Sequence, residues 1–545
     1  MTGSGAGSSA AGGLLGAIAD VGRASSGGYE RFAWTVHDLA LREWFAAEAA
    51  ARGLDVTTDR AGNQWAWWGD PDADGPGVVT GSHLDSVPGG GAFDGPLGVV
   101  SAFAALDALR ASGVVPARPL AIVNFSDEEG ARFGLACLGS RAVTGTVSAD
   151  RLLALRDRTG DSLADVLGRV SPGGSGVSSS SRGSSLSRPG EVSTSSTSGV
   201  GVGVGGSGSW GSGGVSLEHY GRDDEALARI GVFVELHVEQ GRYLADLPAD
   251  EAAPVAVGAA IWPHGRWRVD LAGEANHAGT TPLAHRHDPM LDLARLITDV
   301  RAAAEQAGAL ATLAKVEVEP NGVNAIPSRV RAWIDARAET EDAVLAVLCG
   351  PGGVGGAVPV EAGHMTAGPV AERVPGERPG LRSSAPGGPG GRGGPGTGGG
   401  LGGSSGSGVF GGLGEWAPVE ESWTPATVFD PALAARLADV VGRPGSDLPA
   451  PVIGTGAGHD AGILAAAGVP TAMLFVRNPT GVSHSPAEHA EQSDCDAGVE
   501  ALTAVLADLL TTPAVPLGRS ATPVARAGSA VGSAGSAAPA RQGLP

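Results

Sequence analysis

Gly81-Ser82-His83-Leu84-Asp85-Ser86-Val87-Pro88-Gly89-Gly90-Gly91-Ala92-Phe93-Asp94-Gly95 decides how the rest of the chain is read. It follows an apolar, β-branched run that begins at Gly77 and suits a buried strand, and it precedes residues 97–110, whose apolar spacing is helical. His83 therefore sits at the carboxyl end of a strand and Asp94 just ahead of a helix. Open α/β sheets gather their ligands in that region. A plain βα turn with a solvated Asp and a hydrogen-bonded His satisfies this stretch equally well, because both residue types are common on surfaces.

The same order of strand, loop and helix recurs. Residues 119–126 read as a second buried strand and end in Asp127-Glu128-Glu129-Gly130, and residues 229–238 read as a third that carries Glu235-Leu236-His237-Val238-Glu239-Gln240-Gly241. Further on, residues 451–454 lead to His459-Asp460 at a helix start. Residues 471–476 lead to Gly481-Val482-Ser483-His484-Ser485-Pro486, and residues 496–510 make a last helix. Strands that alternate with helices in this way form a parallel sheet. One edge of that sheet would gather His83, Asp94, Glu128, Glu129, His237 and His484. Three imidazoles with two or more carboxylates and no thiolate suit two nearby divalent ions, Zn, Mn or Co, and not an iron-sulfur cluster. Such a site favours an anionic substrate. Adjacent Glu128 and Glu129 point apart, so one can bind metal while the other acts as general base toward water.

Ahead of the first strand, residues 29–52 show helical spacing stopped by Gly53, and residues 56–59 and 64–68 flank Arg60-Ala61-Gly62-Asn63 as a β-hairpin. From Ala260 the pattern changes. Strands at 265–272, 312–319 and 328–338 with helices at 289–307 and 341–348 make a small α+β layer, which an extended stretch at 423–429 would close. The expected fold is α/β: a central, mostly parallel mixed sheet with helices on both faces, and an inserted α+β lid or dimerisation domain of antiparallel sheet and two helices. The expected division is a loose tail at 1–12, a first catalytic part at 13–256, a lid at 257–426, a second catalytic part at 427–512 and a loose tail at 513–545. Gly/Ser-rich residues 171–216 and Gly/Pro-rich residues 374–415 are expected to be disordered insertions.

Composition removes several function classes. A net charge of −21 argues against a nucleic-acid partner, which needs a basic footprint. Lys315 is the one lysine and no Gly-Lys-Ser/Thr loop exists, so Schiff-base and Walker-type phosphate chemistry are set aside. Cys137, Cys349 and Cys495 are far apart and form no metal or redox pattern. No apolar run approaches the roughly 20 residues that span a bilayer, and no secretory leader is recognisable, so a soluble cytoplasmic protein is expected. A serine hydrolase lacks its Gly-x-Ser-x-Gly elbow between a suitable strand and helix. A non-catalytic metal-binding protein would keep the fold without needing Glu128.

Seven motifs together, GSHLDSVPGGGAFDGPLGV, FSDEEGARFG, ELHVEQG, GEANHAGTTP, PNGVNAIPSRV with its downstream DAR, GAGHDA and GVSHSP, resemble the hydantoinase/carbamoylase branch of the metal-dependent aminoacylase and carboxypeptidase superfamily. That branch includes allantoate amidohydrolase, N-carbamoyl-L-amino acid hydrolase and β-ureidopropionase. The resemblance covers roughly residues 30–350 and 420–510. It implies two divalent ions per subunit, bridged by Asp94, with His83 and His237 on one and Glu129 and His484 on the other. Glu128 would be the base, and His277 would reach the site of a partner subunit in a homodimer joined through the lid. Asn324 and Arg337 would hold the carboxylate of a small anionic ureido or amide substrate, while Gln240, Gly481 and Ser483 add contacts beside the metals. His459 would support His484 or the water. Each has a plainer alternative: His277 could cap a turn, and Arg337 could pair with Asp335 at the surface. Allantoate is the expected substrate, ahead of N-carbamoyl-L-amino acids and other N-acyl amino acids.

Overall fold

The computed structural model describes residues 10–170, 216–349 and 417–512. The insertion expected at 374–415, the tail at 513–545, and all of the 171–216 insertion except Ser216 lie outside the described residues. Nine strands form one mixed sheet. Their order is Asp55–Thr58, Gln64–Trp68, Leu120–Phe125, Gly77–His83, Ile230–Val238, Thr471–Val476 and Val255–Ile261, and the last of these also pairs with Thr427–Val428 and Val452–Thr455. The four strands from Leu120–Phe125 to Thr471–Val476 run parallel.

Parallel strands covered on both faces must be apolar on both. Gly77–His83 and Leu120–Phe125 are buried along their whole length. On one face Phe45, Phe103, Leu437 and Leu506 pack against Val78, Ile122 and Leu474; these side chains come from helices Val36–Ala51, Pro96–Ala111, Pro431–Val441 and Gln492–Thr511. On the other, Phe125, Phe233 and Phe475 pack with Leu464 of helix Asp460–Ala466. Since the four strands share a direction, His83, the Ser126-Asp127 junction, His237 and the segment after Val476 emerge at one edge. That edge is where the candidate site lies.

A second sheet is wholly antiparallel, in the order Val419–Thr424, His264–Ala272, Arg329–Arg337, Leu310–Glu319. Buried and open positions alternate along His264–Ala272 and Arg329–Arg337. The buried set, including Leu271, Val330 and Ile334, packs on Leu296 and Val300 of helix Pro289–Ala307 and on Val344 and Val347 of helix Glu341–Cys349. One face is thus a core and the other is open, as alternation requires. Among the described residues no helix is long and apolar enough to cross a membrane.

Three boundaries differ from the sequence-based expectation. The first sheet does not end at 256: Val255–Ile261 pairs inside it, and the chain leaves at Trp262-Pro263. The extended stretch 423–429 is shared, since Val419–Thr424 edges the smaller sheet while Thr427–Val428 returns to the larger one. Residues 10–12 are not a loose tail. They begin helix Ala10–Ala17, where Ala11 is buried beside helices Pro96–Ala111 and Gln492–Thr511, because small side chains let helices approach closely.

Candidate metal centre

His83 Nδ1 lies 3.2 Å from the Asp85 carbonyl oxygen, and His237 Nδ1 lies 2.8 Å from that of Val238. A carbonyl only accepts, so each Nδ1 carries a proton, and in the neutral ring Nε2 keeps the lone pair that a metal-ligating imidazole offers. Both Nε2 atoms are buried without a hydrogen-bond partner. They face Asp94 Oδ1 at 3.7 and 3.1 Å. On the other side of the same carboxylate, Oδ2 lies 3.5 Å from His484 Nε2, which lies 3.5 Å from Glu129 Oε2. Donors about 2.1 Å from one tetrahedral ion lie about 3.4 Å apart, so these spacings fit first-row divalent cations. Asp94 belongs to both ligand groups, His83-Asp94-His237 and Asp94-Glu129-His484.

Several local devices hold this geometry. The Asp85 carboxylate accepts the backbone N–H groups of Glu128 and Glu129, each at 3.1 Å, and so ties the His83 loop to the acidic one. Glu488 Oε1 accepts the N–H groups of Phe93 and Asp94 at 2.8 and 2.9 Å. Gln240 Nε2 and Ser483 Oγ donate to Asp94 Oδ2 at 2.8 and 3.1 Å. Gly95 caps helix Pro96–Ala111 at φ +83, and a Cβ there would meet the His83 ring at 2.4 Å. Only glycine fits. Asp127 and His484 also take positive φ, at 51 and 54, strained backbone of the kind that gathers at working sites.

Burial dominates the electrostatics. It pushes the Glu128 carboxyl well above its usual range, against the pull of His83, and lifts Glu129 to about 8 with Asp94 adding to the effect. Burial opposes ionisation of Asp94 too, but His237, His83 and His484 together hold it well below the usual carboxylate range. Burial would discharge His83, yet Asp85 and the nearby glutamates outweigh it and raise its proton affinity. Glu128 Oε2 lies 3.7 Å from His83 Nε2, while its Oε1 accepts the Cys137 thiol at 3.3 Å. His459 packs edge-on against His237 with ring centroids 4.5 Å apart, and burial followed by the charge of His237 keeps it neutral.

The structure therefore brings His83, Asp94, Glu128, Glu129, His237, His484, Gln240, Ser483 and His459 together. Gly481 supports rather than touches: at φ +68 it turns the chain, and its N–H donates to Asn478. Arg337 is tied to Asp335 Oδ1 and, across 3.0 Å, to the Gly456 carbonyl, and its charge reaches His484. His277 and Asn324 stand apart from the cluster within this chain. The exposed His277 ring accepts the Gly279 N–H at 3.0 Å, and the Asn324 carbonyl accepts that of Ala278. Reasoning from sequence missed Asp85, Glu488 and Cys137. Asp85 stood two residues from His83 in the decisive loop, and that spacing was its one signal.

Residues 79–508 match peptidase family M20/M25/M40. The chain is 31% identical to an N-carbamoyl-L-amino acid amidohydrolase of Geobacillus stearothermophilus over 89% of its own length and 94% of the relative's. It is 26% identical to an allantoate amidohydrolase of Escherichia coli K12, over 90% and 95% respectively. The crystal structure of a hydantoinase/carbamoylase family amidase from Burkholderia multivorans superposes with a TM-score of 0.62 at 23% identity, covering 92% of this chain and 98% of that one. A carboxylate shared by two ligand groups at the edge of a parallel sheet, beside a separate antiparallel sheet, agrees with these matches, and the chain belongs to the M20/M25/M40 peptidase family, in its hydantoinase/carbamoylase branch.

Proposed function

We propose that this protein is a metal-dependent amidohydrolase that cleaves a linear carbon-nitrogen bond of a ureido or carbamoyl acid. The observation that carries the reading is Asp94, whose two oxygens face two separate ligand groups with Glu128 alongside. Two divalent cations per subunit, Zn or Mn with Co as a third candidate, are the proposed complement. Cations held there supply Lewis acidity toward the scissile carbonyl and make a water molecule acidic at neutral pH.

The side chains supply the rest. Glu128 takes the proton of the attacking water and passes it to the leaving nitrogen. His277 of a second copy, joined through the smaller sheet and its helices, donates to the developing oxyanion. Arg337 and Asn324 hold the substrate carboxylate, for which a guanidinium is suited by its paired donors.

Allantoate is the proposed substrate. N-carbamoyl-L-amino acids are the second reading, favoured by the higher identity to the Geobacillus enzyme. Ammonia release from the Mn- and Zn-loaded protein, measured with allantoate, N-carbamoyl-L-amino acids and N-acetyl amino acids, tests both. Turnover of a ureido acid that is lost on chelation is expected. Turnover of none of them would sink the proposal.

A further inference from the structure

Arg337 and His264 are direct partners across two antiparallel strands, so their side chains leave the same face of the smaller sheet as neighbours. His264 Nδ1 lies 3.0 Å from the Trp262 carbonyl oxygen. Nδ1 therefore carries the proton, and Nε2 of the neutral ring is an acceptor. Burial disfavours the charged ring, and Arg337 adds to that. Nε2 has no hydrogen-bond partner among the described residues. It faces Gly458, 3.9 Å from where a Cβ there would stand, and the next residue, His459, packs on the metal-centre His237. An open acceptor thus lies between Arg337 and the loop that borders the metal ligands.

We propose that His264 is a specificity-determining residue: its Nε2 accepts a hydrogen bond from the N–H of a second substituent on the α-carbon, beside the scissile ureido group, of a substrate whose carboxylate Arg337 holds. This rests on the carboxylate role given to Arg337 above. The carboxylate fixes one end of the acid, so the neighbouring side chain meets what the α-carbon carries. A second ureido group, as in allantoate, supplies the donor. An apolar side chain leaves the acceptor unpaired, and sites built to pair a polar group reject analogues that lack it.

The test is kcat/KM of the Mn-loaded protein for allantoate and for N-carbamoyl-L-alanine, in wild type, His264→Leu and His264→Gln, with thermal midpoints as a folding control. The ratio of the two constants is expected to favour allantoate and to fall at least about tenfold in His264→Leu, with His264→Gln, which retains an acceptor oxygen, within about threefold of wild type. An unchanged ratio in His264→Leu overturns the proposal. An equal fall in His264→Gln assigns the effect to packing and also overturns it. Preference of the wild type for N-carbamoyl-L-alanine overturns it while leaving the hydrolase reading intact, whereas turnover of neither compound removes that reading and this proposal with it.

Discussion

The Cys137 thiol donates to Oε1 of Glu128 across 3.3 Å, leaving Oε2 to face His83. Both residues are buried, and Cys137 reaches this place through a left-handed backbone turn at φ 56. If Glu128 is the base, as proposed, this contact orients it. Removing one such bond costs about 1 kcal/mol, so Cys137→Ala should lower kcat by about fivefold with little change in KM or metal content. Cys137→Ser keeps a donor and should recover most of the loss. Equal kcat in Ala and wild type would remove the positioning role.

Glu128 itself should matter far more. General acid-base groups contribute about 10²- to 10⁴-fold, so Glu128→Gln should reduce kcat by at least about 10²-fold. The substitution leaves every donor of the two ligand groups in place. Metal content by elemental analysis should therefore match wild type. Full turnover with normal metal content would assign the base elsewhere.

Loading the centre with metal should release protons. In the metal-free protein Asp85 and the glutamates overcome burial and raise the proton affinity of His83, Asp94 does the same for His237, and Glu129 is held up to about 8. A cation needs all three deprotonated. At pH 7.5 binding must expel what these groups carry, and affinity should rise with pH until they no longer hold protons. Titration calorimetry in two buffers of different ionisation enthalpy should show release of about one proton or more. Heats that do not depend on the buffer would contradict this charge arrangement.

Most of the candidate ligands were legible because they lie at or shortly after the end of an apolar run, and Asp94 because it stands just ahead of a helix in the same loop as His83. Gly77–His83 and Thr471–Val476 contain nothing but strand-compatible residues, so a histidine or acid at or after their ends stands out. The supporting groups were not legible, because their meaning depends on pairings that the linear order hides. Glu488 meets the Asp94 N–H across 394 positions, and only the fold reveals that. The boundary at 257 failed for a related reason: only the pairing of Val255–Ile261 with Thr471–Val476 and Val452–Thr455 shows that this apolar run belongs to the large sheet, which ends at the break marked by Pro263. Helix Ala10–Ala17 was hidden by its Ala and Gly content, which reads as a tail when periodicity is the signal.

Gly95 separates steric necessity from general glycine strain. A side chain there meets both an unfavourable φ and the His83 ring, whereas Gly113, also at positive φ +75, has open space around it. Gly113→Ala should cost only about 1–2 kcal/mol of backbone strain. Gly95→Ala must also displace the ring of His83, a proposed metal ligand. It should bind less than about half the metal of Gly113→Ala and lose activity by at least about 10²-fold. Equal metal content in the two variants would show that the His83 ring tolerates the intrusion.

The exposed position of His277, outside the cluster of its own chain, sets the last expectation. If each site combines its own Glu128 with the partner subunit's His277, then His277→Ala and Glu128→Gln inactivate by different routes. A mixed dimer would then hold one site with both groups intact. Random reassortment makes about half the dimers mixed, each with one good site of two, so about a quarter of wild-type activity should return. The two inactive variants should be mixed after partial denaturation and refolding, with each refolded alone as control. Recovery well above the sum of the controls is the expected outcome. No recovery, with mixed dimers verified by a mass tag on one variant, would show that His277 does not act across the subunit interface.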